Sequence, residues 1–187
     1  MKKREIISIM SIMWLGILGG CATVEKVPAT DIFSAIKVPE NQVLTLKLHA
    51  VGVQIYECRP TKNDVTQFEW EFKAPHADLF DYAGRKVGRH YEGPTWEYAD
   101  NSTVTGELKV KQPARNNNDI PWLLLSARST SGSGALRSTK SIQRLYTQGG
   151  NVSEPHCTAS EQGKEVSIAY KATYYFYQDR SNQTPGV

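Results

Sequence analysis

Short runs of alternating apolar and polar residues are the feature of this sequence that most restricts its fold. Leu44, Leu46 and Leu48 alternate with polar residues, and residues 68–72 repeat the pattern further along the chain. Successive side chains of a β-strand point to opposite faces, so a period of two predicts strands with one buried face. The segments between these runs lack the sustained 3.6-residue period that is typical of an amphipathic helix.

Turn-forming residues separate these runs and indicate how the strands connect. Asp100, Asn101 and Ser102 form a turn cluster that predicts a hairpin, and Gly52 predicts a bend or bulge. The Ser/Gly-rich residues 129–134 predict a loop. Many short strands joined by turns favour an all-β fold, either an antiparallel β-sandwich or a flattened β-barrel. Further strand signals fall at residues 51–55, 96–98, 104–110, 122–125, 142–146 and 166–176.

The first 21 residues resemble a bacterial lipoprotein signal. Three basic residues precede an apolar run at residues 6–18, and Gly19 and Gly20 then lead directly to Cys21. The run is shorter than the roughly 20 apolar residues that a membrane-spanning helix needs. In lipoproteins of this class the cysteine becomes the first mature residue and carries several acyl chains, such as palmitate, which together anchor stably. Ala22 favours the outer membrane over retention at the inner membrane.

We therefore expect four segments and a location in the cell envelope. Residues 1–20 form the signal peptide, residues 21–37 a lipidated tether, residues 38–178 a single β domain and residues 179–187 a flexible tail. A mature chain of this size is typical of one domain with its own core. The expected partners are the membrane, through lipid on Cys21, and an unidentified envelope ligand or protein, with the anchored domain facing the periplasm.

Charge gives no indication of nucleic-acid binding. The whole chain holds 22 basic and 19 acidic residues. Removal of the signal, with its three basic residues and one acidic residue, leaves 19 basic and 18 acidic residues. A nearly neutral chain without a clustered basic face does not predict nucleic acid as a partner.

Two cysteines remain once Cys21 is lipidated. Cys58 and Cys157 would lie in an oxidising compartment, where a remaining pair usually forms a disulfide. Such a bond would close a loop of about 100 residues, worth up to about 4.7 kcal/mol in the chain-entropy model. The alternative from the residues alone is two separate buried thiols.

The densest group of versatile side chains lies in residues 87–97. His90, Tyr91, Trp96 and Glu97 surround the Gly-Pro bend at residues 93–94 and are candidate ligand-binding residues. The alternative is structural, with Trp96 in the core and the bend as a simple turn. Trp122 and Tyr146 complete the set of candidates.

No catalytic residue, metal site or cofactor is predicted. The four histidines show no metal-ligand spacing, and no phosphate-binding glycine loop or nucleophile elbow is present. An envelope hydrolase would have to use His90 and Glu97. The sequence does not decide whether the protein is an enzyme, although a non-enzymatic role is favoured.

Several ordered blocks resemble a known family. The blocks "GVQIYEC", "HYEGPTWE", "IPWLLLSA", "SIQRLYTQGG" and "ATYYFY" are similar to the secreted bacterial and fungal family called domain of unknown function thirty-four fifty-five, over about residues 38–177. The resemblance supports pairing Cys58 with Cys157 and implies no settled biochemical function. Asn101 stands where the family often has glycine, and asparagine tolerates the same left-handed turn.

Three functions follow as hypotheses, each with a structural signature. The leading one is a non-enzymatic binding or interaction module, which predicts a packed interior and an exposed aromatic patch. The second is a carrier of a small, partly apolar ligand in a barrel mouth, lined by Trp96, Trp122 and Tyr146. The third is an envelope hydrolase, which predicts His90 and a carboxylate converging in a cleft.

Overall fold

The computed structural model describes residues 34–180, and Cys21, the predicted signal peptide and the predicted tail beyond Arg180 lie outside that range. The described chain is built from β-strands, with two short 3₁₀ turns at Ser34–Ile36 and Ala159–Glu161. Within these residues no helix is long and apolar enough to cross a membrane. The strands are β1 (Gln42–Pro60), β2 (Phe68–Phe80), β3 (Lys86–Tyr91), β4 (Thr95–Tyr98), β5 (Thr103–Gln112), β6 (Trp122–Ser131), β7 (Ser141–Gly149), β8 (His156–Cys157) and β9 (Glu165–Asp179).

The strands form one antiparallel sheet that closes into a ring. Its order is β1-β9-β7-β6-β5-β4-β3-β2, and β1 pairs with both β9 and β2 to close the circle. The two-residue strand β8 adds to the outer end of β2, opposite Phe68 and Glu69. The all-β prediction is confirmed, as one closed sheet that lacks the regular geometry of a barrel. Full closure satisfies the strand edges that an open sheet would expose.

The long strand β1 connects the two sides of the ring without a break at Gly52. Gly52 pairs in register with Ala77 of β2 and with Tyr170 of β9. The bend predicted there is wrong, since the register shifts lie at residues 55/56 and 44/46. Gly52 instead permits close approach, because an added Cβ would lie 2.2 Å from the His76 carbonyl oxygen.

Two turn predictions have different outcomes. Asn101 adopts φ of 65° between β4 and β5, which forms the predicted hairpin through the left-handed conformation that asparagine tolerates. The loop predicted over residues 129–134 is wrong for its first half, because β6 continues to Ser131 and Ser131 pairs with Thr103. Polar composition alone did not reveal that these residues continue a strand paired with β5.

Apolar side chains pack on both faces of the sheet. Inside the ring, Trp96, Tyr174 and Phe176 belong to a cluster contributed by strands all around it. Outside, Tyr175 and Tyr177 pack with Ile36 from the first 3₁₀ turn. Strand β9 is therefore aromatic on both faces because each face meets a separate core.

A loop closes one end of the ring, which we call the closed end and define by Leu48, Leu79, Phe176 and the capping residue Leu136. These side chains are fully buried. The Leu136 amide donates to the Ser102 hydroxyl at 3.1 Å, and the Ala135 amide donates to the Asp100 carboxylate at 2.7 Å. These bonds hold the loop before β7 across the interior.

Cys58 and Cys157 form a disulfide, as predicted. The bond joins the last part of β1 to β8 across 99 residues of sequence. The backbone of Cys58 also bonds to Gly163 and Lys164, so the segment between β8 and β9 is held to β1 on both sides. The chain-entropy model puts the contribution of such a bond at about 4.7 kcal/mol.

Candidate functional site

A cavity of about 420 Å³ opens at the opposite end of the ring. We call this the cavity end, defined by Gln54, Phe72, Leu108 and Leu123. Phe72 and Leu108 are 49% and 52% exposed and border the mouth. A concave, mainly apolar site with a few polar groups is typical of small-molecule binding. The full lining is Gln54, Phe72, Lys73, Pro75, His90, Glu92, Gly93, Pro94, Trp96, Leu108, Leu123, Leu125, Arg144 and Tyr174.

Three aromatic rings separate the cavity from the packed core. The His90 and Trp96 rings stack at 4.3 Å between centroids, with 9° between their planes. Tyr174 meets them edge-on at 5.1 and 5.2 Å. Gly106 leaves the space that the Trp96 ring occupies, since an added Cβ would lie 3.0 Å from it. These rings form a rigid floor on which a flat or apolar group could stack.

His90 is held in a neutral form by its position. Its Nδ1 lies 2.8 Å from the Thr95 carbonyl oxygen. Because a carbonyl oxygen can only accept a hydrogen bond, Nδ1 carries the proton, and Nε2 of the neutral ring is an acceptor. Burial lowers the pKa of His90 to about 3, and the Arg144 charge acts in the same direction. A histidine that stays neutral far below neutral pH is poorly matched to general base catalysis.

Arg144 supplies a cationic group to the cavity from strand β7. Its Nε and Nη2 donate to the Pro121 carbonyl oxygen at 3.1 and 2.9 Å, which fixes the plane of the guanidinium. Burial raises the pKa of Tyr174, and the Arg144 charge opposes that rise. The Arg144 charge therefore acts on the Tyr174 hydroxyl in the aromatic floor of the cavity.

Polar side chains form a connected group behind the aromatic floor. The Gln54 amide donates to the Tyr170 hydroxyl, which donates to the Tyr174 hydroxyl, and Arg144 also donates to Tyr174. Trp96 Nε1 is buried and has no hydrogen bond to the described residues. A buried donor is normally satisfied, so Trp96 Nε1 indicates a place where an external acceptor is accommodated.

Tyr91 and Glu97 lie on the other face of the sheet from His90 and Trp96. The Glu97 carboxylate accepts from Arg89 at 2.9 Å and from the Tyr91 hydroxyl at 3.0 Å. The Arg89 guanidinium lowers the pKa of Glu97. Because adjacent residues of a strand face opposite ways, His90 and Glu97 do not converge, and the geometry required of a hydrolase is missing from this pair.

Trp122 and Tyr146 also lie on the outer face. Their rings meet at 5.3 Å, and Tyr146 reaches the Tyr175 ring at 6.4 Å. Tyr146 is 51% exposed and adopts φ of 52°, within a register shift between Leu145 and Gln148. The shift turns Tyr146 away from the interior to which Ile142 and Arg144 point.

The structure therefore divides the six candidates among three places. His90 and Trp96 line the cavity, Tyr91 and Glu97 form an outer ion-pair group, and Trp122 and Tyr146 form an outer aromatic pair. The sequence reasoning did not select Arg144 or Gln54. Their signal was a polar residue at an inward position of an otherwise apolar alternation, as in Ile142 followed by Arg144.

The described residues contain no group of three or more His, Cys, Asp or Glu side chains that could hold a metal ion. The cavity lining offers an aromatic and aliphatic wall, the Arg144 guanidinium, the neutral imidazole of His90, the Trp96 indole N–H, and the charges of Lys73 and Glu92. This set can bind and orient a molecule.

Comparison with known proteins identifies a family without a known activity. The sequence profile of the family described as Protein of unknown function (DUF3455) matches residues 39–178. No curated protein and no solved structure matches the chain. The matched region includes every strand of the ring and all the residues that line the cavity. The chain belongs to the DUF3455 family.

Proposed function

We propose that this protein is a lipid-anchored envelope protein that binds a small, partly apolar molecule in the cavity and does not catalyse a reaction on it. The observation that carries the proposal is the cavity of about 420 Å³, which combines apolar walls with the Arg144 guanidinium and the buried, unpaired Trp96 Nε1. Its volume falls within the range of small-molecule sites. This function is the carrier, the second of the three hypotheses from the sequence, with a different lining: Trp96 lines the cavity, whereas Trp122 and Tyr146 lie on the outer face of the sheet.

The location follows from the N-terminal sequence. Cys21 carries the lipid, and the ring faces the periplasm from the outer membrane. Replacement of the lipidated residue by Cys21→Ala is expected to move the protein out of the membrane fraction of cells, because no acyl chain is then attached. Immunoblots of separated inner-membrane, outer-membrane and soluble fractions make the measurement. An unchanged membrane fraction for the variant would contradict the anchor.

Native mass spectrometry tests the binding function. The mature chain with Cys21→Ser, secreted to the periplasm, contains the complete ring and its disulfide. We expect a co-purifying molecule that is released on denaturation. The variant Leu123→Phe fills the cavity and should lose that molecule, whereas Leu124→Phe, on the opposite face of β6, should keep it.

A bare mass for the unaltered chain and no stabilisation by neutral apolar probes such as phenylbutanol would contradict the function. Equal retention by the Leu123→Phe and Leu124→Phe variants would place the bound molecule elsewhere. Both results are read on folded protein, which the intact disulfide mass and the thermal unfolding curve verify.

A further inference from the structure

The charges that line the cavity do not balance. Lys73 is neutralised, since its ammonium lies 2.9 Å from Glu57 and also pairs with Glu165. No ion pair joins Arg144 to a carboxylate among residues 34–180, and its hydrogen bonds go to two neutral groups, the Pro121 carbonyl oxygen and the Tyr174 hydroxyl. Glu92, the carboxylate of the lining, lies on the exposed bend between β3 and β4.

A partly buried guanidinium without an anionic neighbour is costly unless something else compensates its charge. Arg144 is fixed by the Pro121 carbonyl, so its position does not depend on a carboxylate from the protein. The N–H groups that Pro121 and Tyr174 leave unused remain available for the fork-shaped contact that arginine makes with planar anions.

Polar groups around Arg144 add further donors. Trp96 Nε1 is a donor only and has no partner among residues 34–180. The Tyr174 hydroxyl accepts from Tyr170 and Arg144, so its own hydrogen is left to donate. These donors and the guanidinium favour a ligand group that accepts hydrogen bonds, and His90 Nε2 adds one acceptor on the floor.

The apolar walls of the cavity determine the chemical character of the rest of the ligand. Phe72, Leu108 and Leu123 line the mouth, and the rings of Trp96 and Tyr174 form the floor. We infer that the cavity binds a small organic carboxylate, whose anionic head pairs with Arg144 and whose aromatic or aliphatic body packs on the floor and walls. This inference rests on the proposed function, and it adds the chemical class of the ligand.

Three probes that differ only in the head group test the inference. They are phenylbutyrate, phenylbutanol and phenylbutylamine, titrated by calorimetry into the mature chain carrying Cys21→Ser. Hydrogen bonds to a charged group are worth roughly 10- to 100-fold in affinity. We expect the carboxylate to bind about tenfold or more tightly than the alcohol, and the amine to bind most weakly.

Variants assign the preference to Arg144. Arg144→Gln should weaken the affinity for phenylbutyrate by about tenfold. The affinity for phenylbutanol should stay within about threefold of the parent value, since the apolar walls are unchanged. The matched control Arg128→Gln removes an exposed cation from β6 and should change neither. If Arg144→Gln does not fold, Arg144→Lys, which keeps the charge but loses the fork, should still weaken phenylbutyrate selectively.

The failures are distinguishable. If phenylbutanol binds as tightly as phenylbutyrate, the carboxylate inference is overturned and the binding function stands. If phenylbutyrate is preferred but Arg144→Gln and Arg144→Lys retain that preference, Arg144 is not the anchor and the inference is again overturned. If none of the three probes binds, the carboxylate inference is overturned, and a bare native mass for the same chain then overturns the proposed function as well.

Discussion

The closed end and the cavity end of the ring use the same strands for opposite purposes. At the closed end, Leu48, Leu79 and Phe176 fill the interior, and Leu136 covers them. At the cavity end, the inward positions hold Gln54, and the interior opens to solvent past Leu108. A single alternation of inward and outward residues runs through both ends, so the difference lies in side-chain chemistry rather than in backbone architecture.

Two strands make the contrast explicit. Along β1 the inward residues change from Leu48 to Gln54, and along β7 they change from Ile142 to Arg144. Polar residues at core positions reduce stability unless a partner satisfies them. Sequences depart from the apolar pattern mainly where function requires it, and this is why we propose the cavity end as the functional end of the ring.

The two ends are also held by different devices. Hydrogen bonds from Asp100 and Ser102 position the loop that caps the closed end. The disulfide of Cys58 secures the segment before β9, on the part of β1 beyond Gln54. This covalent link joins β1 to β8 outside the set of residues that line the cavity.

The largest expected effect is a difference between two matched truncations. Leu79→Ala, at the closed end, should lower the free energy of unfolding by about 2 to 5 kcal/mol, because it leaves a cavity in a packed core. Leu108→Ala, at the mouth, should cost about 1 kcal/mol or less, because that side chain is already half exposed. Urea unfolding of both variants and the parent makes the measurement.

Equal costs for the two truncations would show that the ends are equally packed and would remove the basis of the comparison. Tyr82→Ala provides a baseline, since Tyr82 is almost fully exposed in the turn between β2 and β3. This variant should have the same free energy of unfolding as the parent. The m-values should also agree, so that differences in midpoint report stability.

The sequence predicts local features of this fold well. Alternation locates β1, β2 and β9, since every second side chain must meet an apolar interior. The turn at Asn101 and the pairing of Cys58 with Cys157 are confirmed. The alternation and the turn depend only on residues that are neighbours in the sequence. The disulfide follows because only two cysteines remain once Cys21 is assigned to lipid.

Features that depend on distant partners were not predictable in the same way. Ring closure needs Gln42 to pair with Asp179, and no local pattern encodes that contact. The register shift after Leu145 sends Tyr146 outward, although strict alternation places it beside Arg144 on the inner face. The cavity lies between inward side chains of strands that are far apart in the sequence, so no local sequence pattern predicts it.

A smaller effect should appear as acid sensitivity at the cavity end. The unfolded chain takes up a proton on His90 near pH 6.5, whereas burial delays protonation in the folded protein to about pH 3. Between these values the unfolded state binds more protons, so stability is complete above pH 6.5 and falls as the pH falls. From pH 7 to pH 5 the loss is about 2 kcal/mol. Urea unfolding at the two pH values measures it.

Substitution of His90 separates its contribution to the pH dependence of stability from that of the other titratable groups. His90→Gln can still donate to the Thr95 carbonyl but does not titrate, so its stability should change little between pH 7 and pH 5. His76→Gln, at an exposed position of β2, should keep the full dependence of the parent. If the His90→Gln variant keeps the same slope as the parent, then acid acts elsewhere and the imidazole on the cavity floor is not the group that limits stability. A slope lost only in His90→Gln would assign this acid sensitivity to the floor beneath the cavity, because carboxylates titrate mainly below this range.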